Sequence, residues 1–180
     1  RGLPISHFKP RWKEINARLE SELGASPLLL NGLVSLRLYT GPMFSKYNAA
    51  LRGVQPPKAE LQEALVAGAD TDPRLAAQFE LLCAGNRYVN TLHCVTAAIG
   101  KLSRLTRSTK VYRGPGGVVP QSFWESDAFG CKGGVELGLM SASKTKEEAL
   151  KWVRRSRVKL LFEIHQSVAG RGAEVAWLSM

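Results

Sequence analysis

The spacing of apolar residues changes partway along the chain, and this change most constrains the fold. In the first half apolar residues recur three or four positions apart, as at Trp12, Ile15 and Leu19, which places them on one face of a helix. The second half concentrates seven glycines between positions 114 and 138, and its apolar residues alternate with period two from Val158 to His165. Helices followed by strands, with little βαβ alternation, predict an α+β fold.

The same patterns predict individual elements within one domain, with a helical portion of about 1–108 and a sheet portion of about 109–180. A turn is expected at Gly41-Pro42. Thr145 and Glu148 have the spacing of a capping box, which predicts a helix among the strands. The other predicted helices lie at 10–24, 58–66, from 73 to about 85 and about 92–102. The predicted strands lie at 110–113, 137–143, 158–165 and 173–180.

Charge and cysteine content restrict the classes of partner and compartment. The chain has 25 Lys and Arg against 15 Asp and Glu, and the net charge of +10 favours an anionic partner such as phosphate, nucleic acid, anionic lipid or an acidic protein. Cys83, Cys94 and Cys131 are widely spaced and form no CxxC pair, which argues against a disulfide framework and a zinc site and favours a reducing intracellular compartment.

The absence of long apolar stretches and the first residue bear on location. No stretch reaches the roughly 18 apolar residues of a membrane span. The chain begins with Arg1, so we expect a trimmed product from which any targeting segment has been removed, as in a protein imported into an organelle.

Three segments of the second half carry candidate ligand-binding residues. Arg113 ends a predicted strand beside Gly114, where a guanidinium could bind a phosphate or ribose, although a surface arginine has the same pattern. The glycines that follow lack the P-loop and GxGxxG signatures, so a simple turn is the alternative. Ser141 and Ser143 could orient a ligand through their hydroxyls, or could cap the next helix.

A run of basic residues follows the segment that contains Ser141 and Ser143. It could form a nucleic-acid-binding patch, with Trp152 as its one interleaved aromatic residue, or simply a solvated face. The run consists of Lys151, Arg154, Arg155, Arg157 and Lys159.

The order of several fragments resembles the NAD-dependent mono-ADP-ribosyltransferases of the arginine–serine–glutamate class. The similarity covers about residues 30–180. Its helical part includes Tyr39-Thr40-Gly41 and Asn86-Arg87-Tyr88. Its later part consists of Val111-Tyr112-Arg113-Gly114, Phe123-Trp124, the segment from Phe129 to Glu136, Leu139-Met140-Ser141-Ala142-Ser143 and Glu148-Ala149-Leu150.

The resemblance implies a helical portion packed on two roughly perpendicular β-sheets, with NAD as substrate and no metal. Arg113 would hold a phosphate or ribose of NAD, and the backbone of Gly114 would contact the nicotinamide amide. Ser141, with Ser143 beside it, would orient the nicotinamide ribose and the catalytic glutamate. The implied activity is transfer of ADP-ribose to a protein side chain with release of nicotinamide.

The family's third element, a Glu-x-Glu or Gln-x-Glu segment, has no clear counterpart. Glu174 is the one nearby carboxylate, and Gly172 stands two positions before it, so Glu174 is the candidate catalytic glutamate within an incomplete motif. We therefore expect either a transferase whose glutamate pair follows Met180, or a catalytically inactive homologue that serves as a structural or partner-binding subunit of a larger assembly. A basic nucleic-acid-binding domain is the third alternative.

Overall fold

The computed structural model describes residues 3–53 and 73–179, and these fall into two compact units. The first unit, here called the helical unit, contains residues 3–53, 73–106 and 172–179. The second, here called the sheet unit, contains residues 107–171. The helix predicted at 58–66 lies outside the described residues.

The helical unit contains the helices predicted at 10–24, from 73 to about 85 and at about 92–102, and it has two further helices between residues 30 and 53 that were not predicted individually. Gly24 ends the first helix in the left-handed conformation at φ 55°, and its N–H donates to Glu20, as expected of a C-terminal glycine. The predicted turn separates α2 from α3. The helices are α1 (Lys9–Leu23, preceded by a 3₁₀ turn at Ile5–Phe8), α2 (Leu30–Tyr39), α3 (Phe44–Gly53), α4 (Pro73–Cys83) and α5 (Val89–Leu105).

Close helix packing forms the core of this unit. The helix α2 packs on α5, and α3 packs on α4. Leu33, Leu36 and Val95 are completely buried. A Cβ at Gly32 would come within 2.9 Å of Leu28 and 3.3 Å of Ala98, so the absence of a side chain lets α2 lie close to α5.

Side chains of α1 hold the backbone that leads into α2. Asn16 accepts a hydrogen bond from the N–H of Leu28 at 2.8 Å and donates to the carbonyl of Leu28 at 3.2 Å. The indole of Trp12 donates to the same carbonyl at 2.7 Å. The polar groups of Leu28 are therefore paired although its side chain is buried.

The strand predicted at 173–180 is wrong for the residues described. Ala176–Leu178 form a 3₁₀ helix. The hydroxyl of Thr40 donates to the carbonyl of Leu178 at 3.0 Å, and the N–H of Glu174 donates to the hydroxyl of Thr106 at 3.0 Å. Hydroxyl groups beside the ends of two helices thus bind this backbone in place of a neighbouring strand.

The sheet unit contains a two-stranded antiparallel sheet and one α-helix. The strands are β1 (Lys110–Arg113) and β2 (Phe162–His165), in a register that pairs Lys110 with His165 and Arg113 with Phe162. The helix, α6, spans Lys146–Arg155 and packs on β1 through its buried face. It begins after Thr145 as predicted, but the Thr145 side chain makes no capping hydrogen bond. A short 3₁₀ helix lies at Gln121–Phe123.

Mixed helix and sheet confirm the α+β class, but the described residues do not form the two perpendicular sheets implied by the resemblance. The predicted strand at 137–143 contributes one bridge, between Ser143 and Tyr112, and only the last part of 158–165 is a strand. Val135 is 87% exposed and Leu137 is 61% exposed. Because the side chains of Val135 and Leu137 are largely exposed, they bury no apolar face that would stabilise strand pairing at the start of this segment.

Candidate functional site

The end of β1 brings Arg113 to the segment that contains Ser141. One guanidinium nitrogen, Nη1, donates to the backbone carbonyl of Ser141 at 2.6 Å. The Arg113 side chain is 16% exposed, so it lies largely within the sheet unit instead of extending into solvent. The two residues predicted to share a binding site are therefore in direct contact, through the main chain of Ser141.

Backbone pairing fixes the position of this segment. The N–H of Tyr112 donates to the carbonyl of Ser143 at 2.8 Å, and the N–H of Ser143 donates to the carbonyl of Tyr112 at 2.8 Å. Ser143 is half-buried, and Ser141 is exposed. The single bridge thus holds both serines beside the C-terminal end of β1.

Glu136 is a third member of this group, although its sequence pattern predicted no role for it. Its Oε2 lies 3.6 Å from Nη2 of Arg113, while its Oε1 accepts a hydrogen bond from the N–H of Gly138 at 2.8 Å. A carboxylate at the end of a glycine-rich segment, in a chain with a net positive charge, was the available signal. An anionic ligand on Arg113 would compete with Glu136, because like charges repel.

Gly114 lies against α6, where its lack of a side chain is a packing requirement. A Cβ at this position would be 2.7 Å from Cγ2 of Val153 and 3.6 Å from the carbonyl oxygen of Ala149. Farther along the same loop, the carbonyl of Gly116 accepts a hydrogen bond from the hydroxyl of Ser156 at 3.0 Å. The glycine-rich turn is therefore attached to both the face and the C-terminal end of α6.

Glu174 belongs to the helical unit, whereas the other four predicted site residues belong to the sheet unit. Its Oε1 accepts a hydrogen bond from the N–H of Ala176 at 3.3 Å, across the start of the 3₁₀ helix. This contact supports the local turn. A catalytic role for Glu174 stays a prediction.

Two surface depressions have linings that include none of the candidate site residues. One, of about 640 Å³, belongs to the helical unit and is lined by residues between Asn16 and Pro27. The other, of about 430 Å³, belongs to the sheet unit and is lined by residues between Ser122 and Val135, including Asp127 and Lys132. Neither lining includes Arg113.

The predicted basic run separates into paired and unpaired side chains. Lys151 forms an ion pair with Glu148. The ammonium of Lys159 donates to the carbonyls of Arg154 and Ser156, both at 2.8 Å, and so caps the end of α6. The three remaining arginines, Arg154, Arg155 and Arg157, are exposed.

Comparison with known proteins adds no relative to this description: no family model, curated protein or solved structure matches the chain. Across residues 3–53 and 73–179, no cluster of three or more His, Cys, Asp or Glu side chains could hold a metal ion. Within the same ranges, every helix is too short or too polar to cross a membrane.

Proposed function

We propose that this chain is a mono-ADP-ribosyltransferase-like domain that binds NAD at the end of β1 and transfers its ADP-ribose to a protein side chain. The observation that supports the proposal is the hydrogen bond from Arg113 to Ser141, together with the backbone bridge at Ser143. These contacts bring Arg113 together with the segment that contains Ser141 and Ser143. The arginine and the serine segment are two of the three motifs on which the resemblance is based.

The proposed chemistry uses these residues for binding and orientation. A guanidinium can donate two parallel hydrogen bonds to a phosphate, which suits Arg113 to the pyrophosphate of NAD. Cleavage of the nicotinamide–ribose bond passes through an oxocarbenium-like state, as glycoside cleavage does. The residues around Ser141 would hold the nicotinamide ribose so that an acceptor can approach its anomeric carbon.

A carboxylate near the ribose is needed to stabilise the developing positive charge. Glu174 is the candidate from the sequence, with Gly172 where the family has Glu or Gln.

Titration of the full chain with NAD tests the binding site directly. Replacing Arg113 by Ala should weaken NAD binding about 10- to 100-fold, because a hydrogen bond to a charged group contributes about 1.5–3 kcal/mol. Arg113→Lys retains the charge but loses the forked geometry, so its NAD affinity should lie between those of the wild type and Arg113→Ala. Arg107→Ala removes an equal charge from the same unit and should leave NAD affinity unchanged.

Circular dichroism of each variant separates loss of binding from loss of structure, since Arg113 also bonds to Ser141. Equal NAD affinity of the folded wild type and Arg113→Ala would contradict the proposal. Nicotinamide release should accompany binding if the chain is active, and Glu174→Gln should then slow release on the order of 100-fold or more.

A catalytically inactive homologue is the second candidate function. Two observations favour it: position 172 is glycine, and the Glu174 carboxylate already accepts a local hydrogen bond from Ala176. Binding of NAD without release of nicotinamide in the presence of protein acceptors would support this candidate over the transferase.

A further inference from the structure

The C-terminal end of α6 presents an exposed aromatic ring and three exposed arginines, one of which lies against the ring. Trp152 is 61% exposed, and the guanidinium carbon of Arg155 lies 5.8 Å from the centre of its ring. Arg154 and Arg155 are the last two residues of the helix, and Arg157 follows after one residue. We propose that this surface, here called the arginine–tryptophan surface, binds single-stranded nucleic acid.

The geometry leaves the side chains of Arg154 and Arg157 available for a ligand, while Arg155 lies against the Trp152 ring. The other two basic residues of the run are engaged, Lys151 with Glu148 and Lys159 with the carbonyls at the helix end. No hydrogen bond or ion pair in the described part of the chain engages the side chains of Arg154 and Arg157. Their charges are also favoured where they stand, because cations stabilise the C-terminal end of a helix.

The turn after α6 holds Arg157 in a defined position. The N–H of Val158 donates to the hydroxyl of Ser156 at 3.3 Å, and that hydroxyl donates to the carbonyl of Gly116. The ammonium of Lys159 also binds two carbonyls of the same turn. Less conformational entropy is therefore lost when a ligand binds here than on a free loop.

Stacking favours a single strand over the other anionic partners. An exposed aromatic ring flanked by arginines is a platform on which an unpaired base stacks while cations contact its phosphates. The bases of a duplex are already stacked on one another. An anionic membrane fits less well, because a helix that lies in a membrane buries its apolar face there, and the apolar residues Ala149 and Val153 of α6 are buried within the protein.

Fluorescence anisotropy with a labelled 12-nucleotide oligo(dT) tests the proposal on the full chain. Three phosphate contacts predict a slope of about −2 for the logarithm of the association constant against that of salt concentration. Trp152→Ala should weaken binding about tenfold at constant charge. The triple variant Arg154→Gln, Arg155→Gln, Arg157→Gln should abolish measurable binding, and the matching Lys variant should retain most of it.

A charge-matched control separates a defined surface from the general attraction of a basic protein. Lys9→Gln, Lys13→Gln, Arg87→Gln removes three exposed cations from the helical unit and should leave binding within about twofold of wild type. Equal losses in the two triple variants would overturn the proposal. So would equal affinity of wild type and Trp152→Ala, with thermal melts confirming that both are folded.

Three alternative anionic ligands test whether the surface prefers single-stranded nucleic acid. A 12-base-pair duplex and poly-glutamate should bind at least several-fold more weakly than the single strand. Vesicles containing phosphatidylserine should bind without dependence on Trp152. Duplex, poly-glutamate or Trp152-dependent vesicle binding as tight as that of the single strand would overturn the assignment. The surface uses none of the proposed NAD-binding residues, so the arginine variants of α6 should leave NAD titrations unchanged.

Discussion

Replacement of Gly114 by alanine tests whether β1 and α6 are packed as closely as described. The new Cβ would lie 2.7 Å from Cγ2 of Val153, closer than carbon atoms can approach. Val153 cannot easily move away, because it is buried and valine in a helix has one strongly preferred χ1 rotamer. The backbone of the helix is also near, with the nitrogen of Val153 at 3.4 Å.

Two opposing effects determine the size of the change. Alanine restricts the unfolded chain and would by itself stabilise the fold by about 0.4–1 kcal/mol. Overpacking of a filled interior costs about 1–3 kcal/mol. The clash outweighs the gain, and we expect Gly114→Ala to lower the free energy of unfolding by about 0.5–2 kcal/mol. Urea denaturation followed by circular dichroism measures it as a lower midpoint with an unchanged slope.

A double-mutant cycle with Val153→Ala identifies the cause. Val153→Ala alone should destabilise the protein because it removes buried methyl groups. The alanine at position 114 would then occupy part of the vacated space, so the two changes should be non-additive, with a favourable coupling of about 1 kcal/mol. Gly117→Ala is the matched control, since no atom lies within 4 Å of a Cβ there, and should leave stability unchanged or raise it by up to about 1 kcal/mol. Additive effects in the cycle would refute the proposed contact.

Three further predictions concern the helical unit. Gly100→Ala, inside α5 with no atom within 4 Å of the new Cβ, should raise the free energy of unfolding by about 0.5–1 kcal/mol in urea melts; a decrease would contradict a helical, open position. Asn16→Ala leaves the N–H of Leu28 without its acceptor and should lower the free energy of unfolding by about 1–3 kcal/mol in the same assay. Asn16→Asp keeps an acceptor for that N–H and should lower it by less. Equal losses would exclude this hydrogen bond as the cause. Burial raises the pKa of the Cys83 thiol, so this group favours the folded state below the usual thiol pKa and loses that contribution as pH rises through the raised value. A thiol reagent should modify exposed Cys131 first and Cys83 only on unfolding, and rapid reaction of Cys83 in the folded protein would contradict its burial.

Three of the helices were predictable because their signals are local, whereas α2 and α3 were not predicted individually. The three- and four-residue spacing of Trp12, Ile15 and Leu19 and the stop at Gly24 both act within a few turns of one helix. The structure confirms α1 with its left-handed C-cap. The strand at Lys110–Arg113 was also found from its own residues. Strand pairing elsewhere depends on partners distant in sequence, which is why 137–143 was predicted as a strand but contributes only one bridge.

The candidate site shows the same limit. Arg113 and Ser141 were proposed together through the order of motifs, and the structure places them in contact. Glu136 was missed because its proximity to Arg113 depends on the path of a glycine-rich segment, which no periodic pattern describes. The packing role of Gly114 was missed for a related reason, since only the position of α6 reveals it.

The hydrogen bond between Thr40 and Leu178 spans 138 positions and completes the helical unit with residues that come after the sheet unit. During synthesis, the earlier helices cannot pack against residues 172–179 until the intervening 65 residues, 107–171, have also been made. Until it arrives, the site that receives the Leu178 side chain is open to water. Removal of the residues from Gly172 onward should therefore lower the stability of helices that lie more than a hundred residues earlier in the chain.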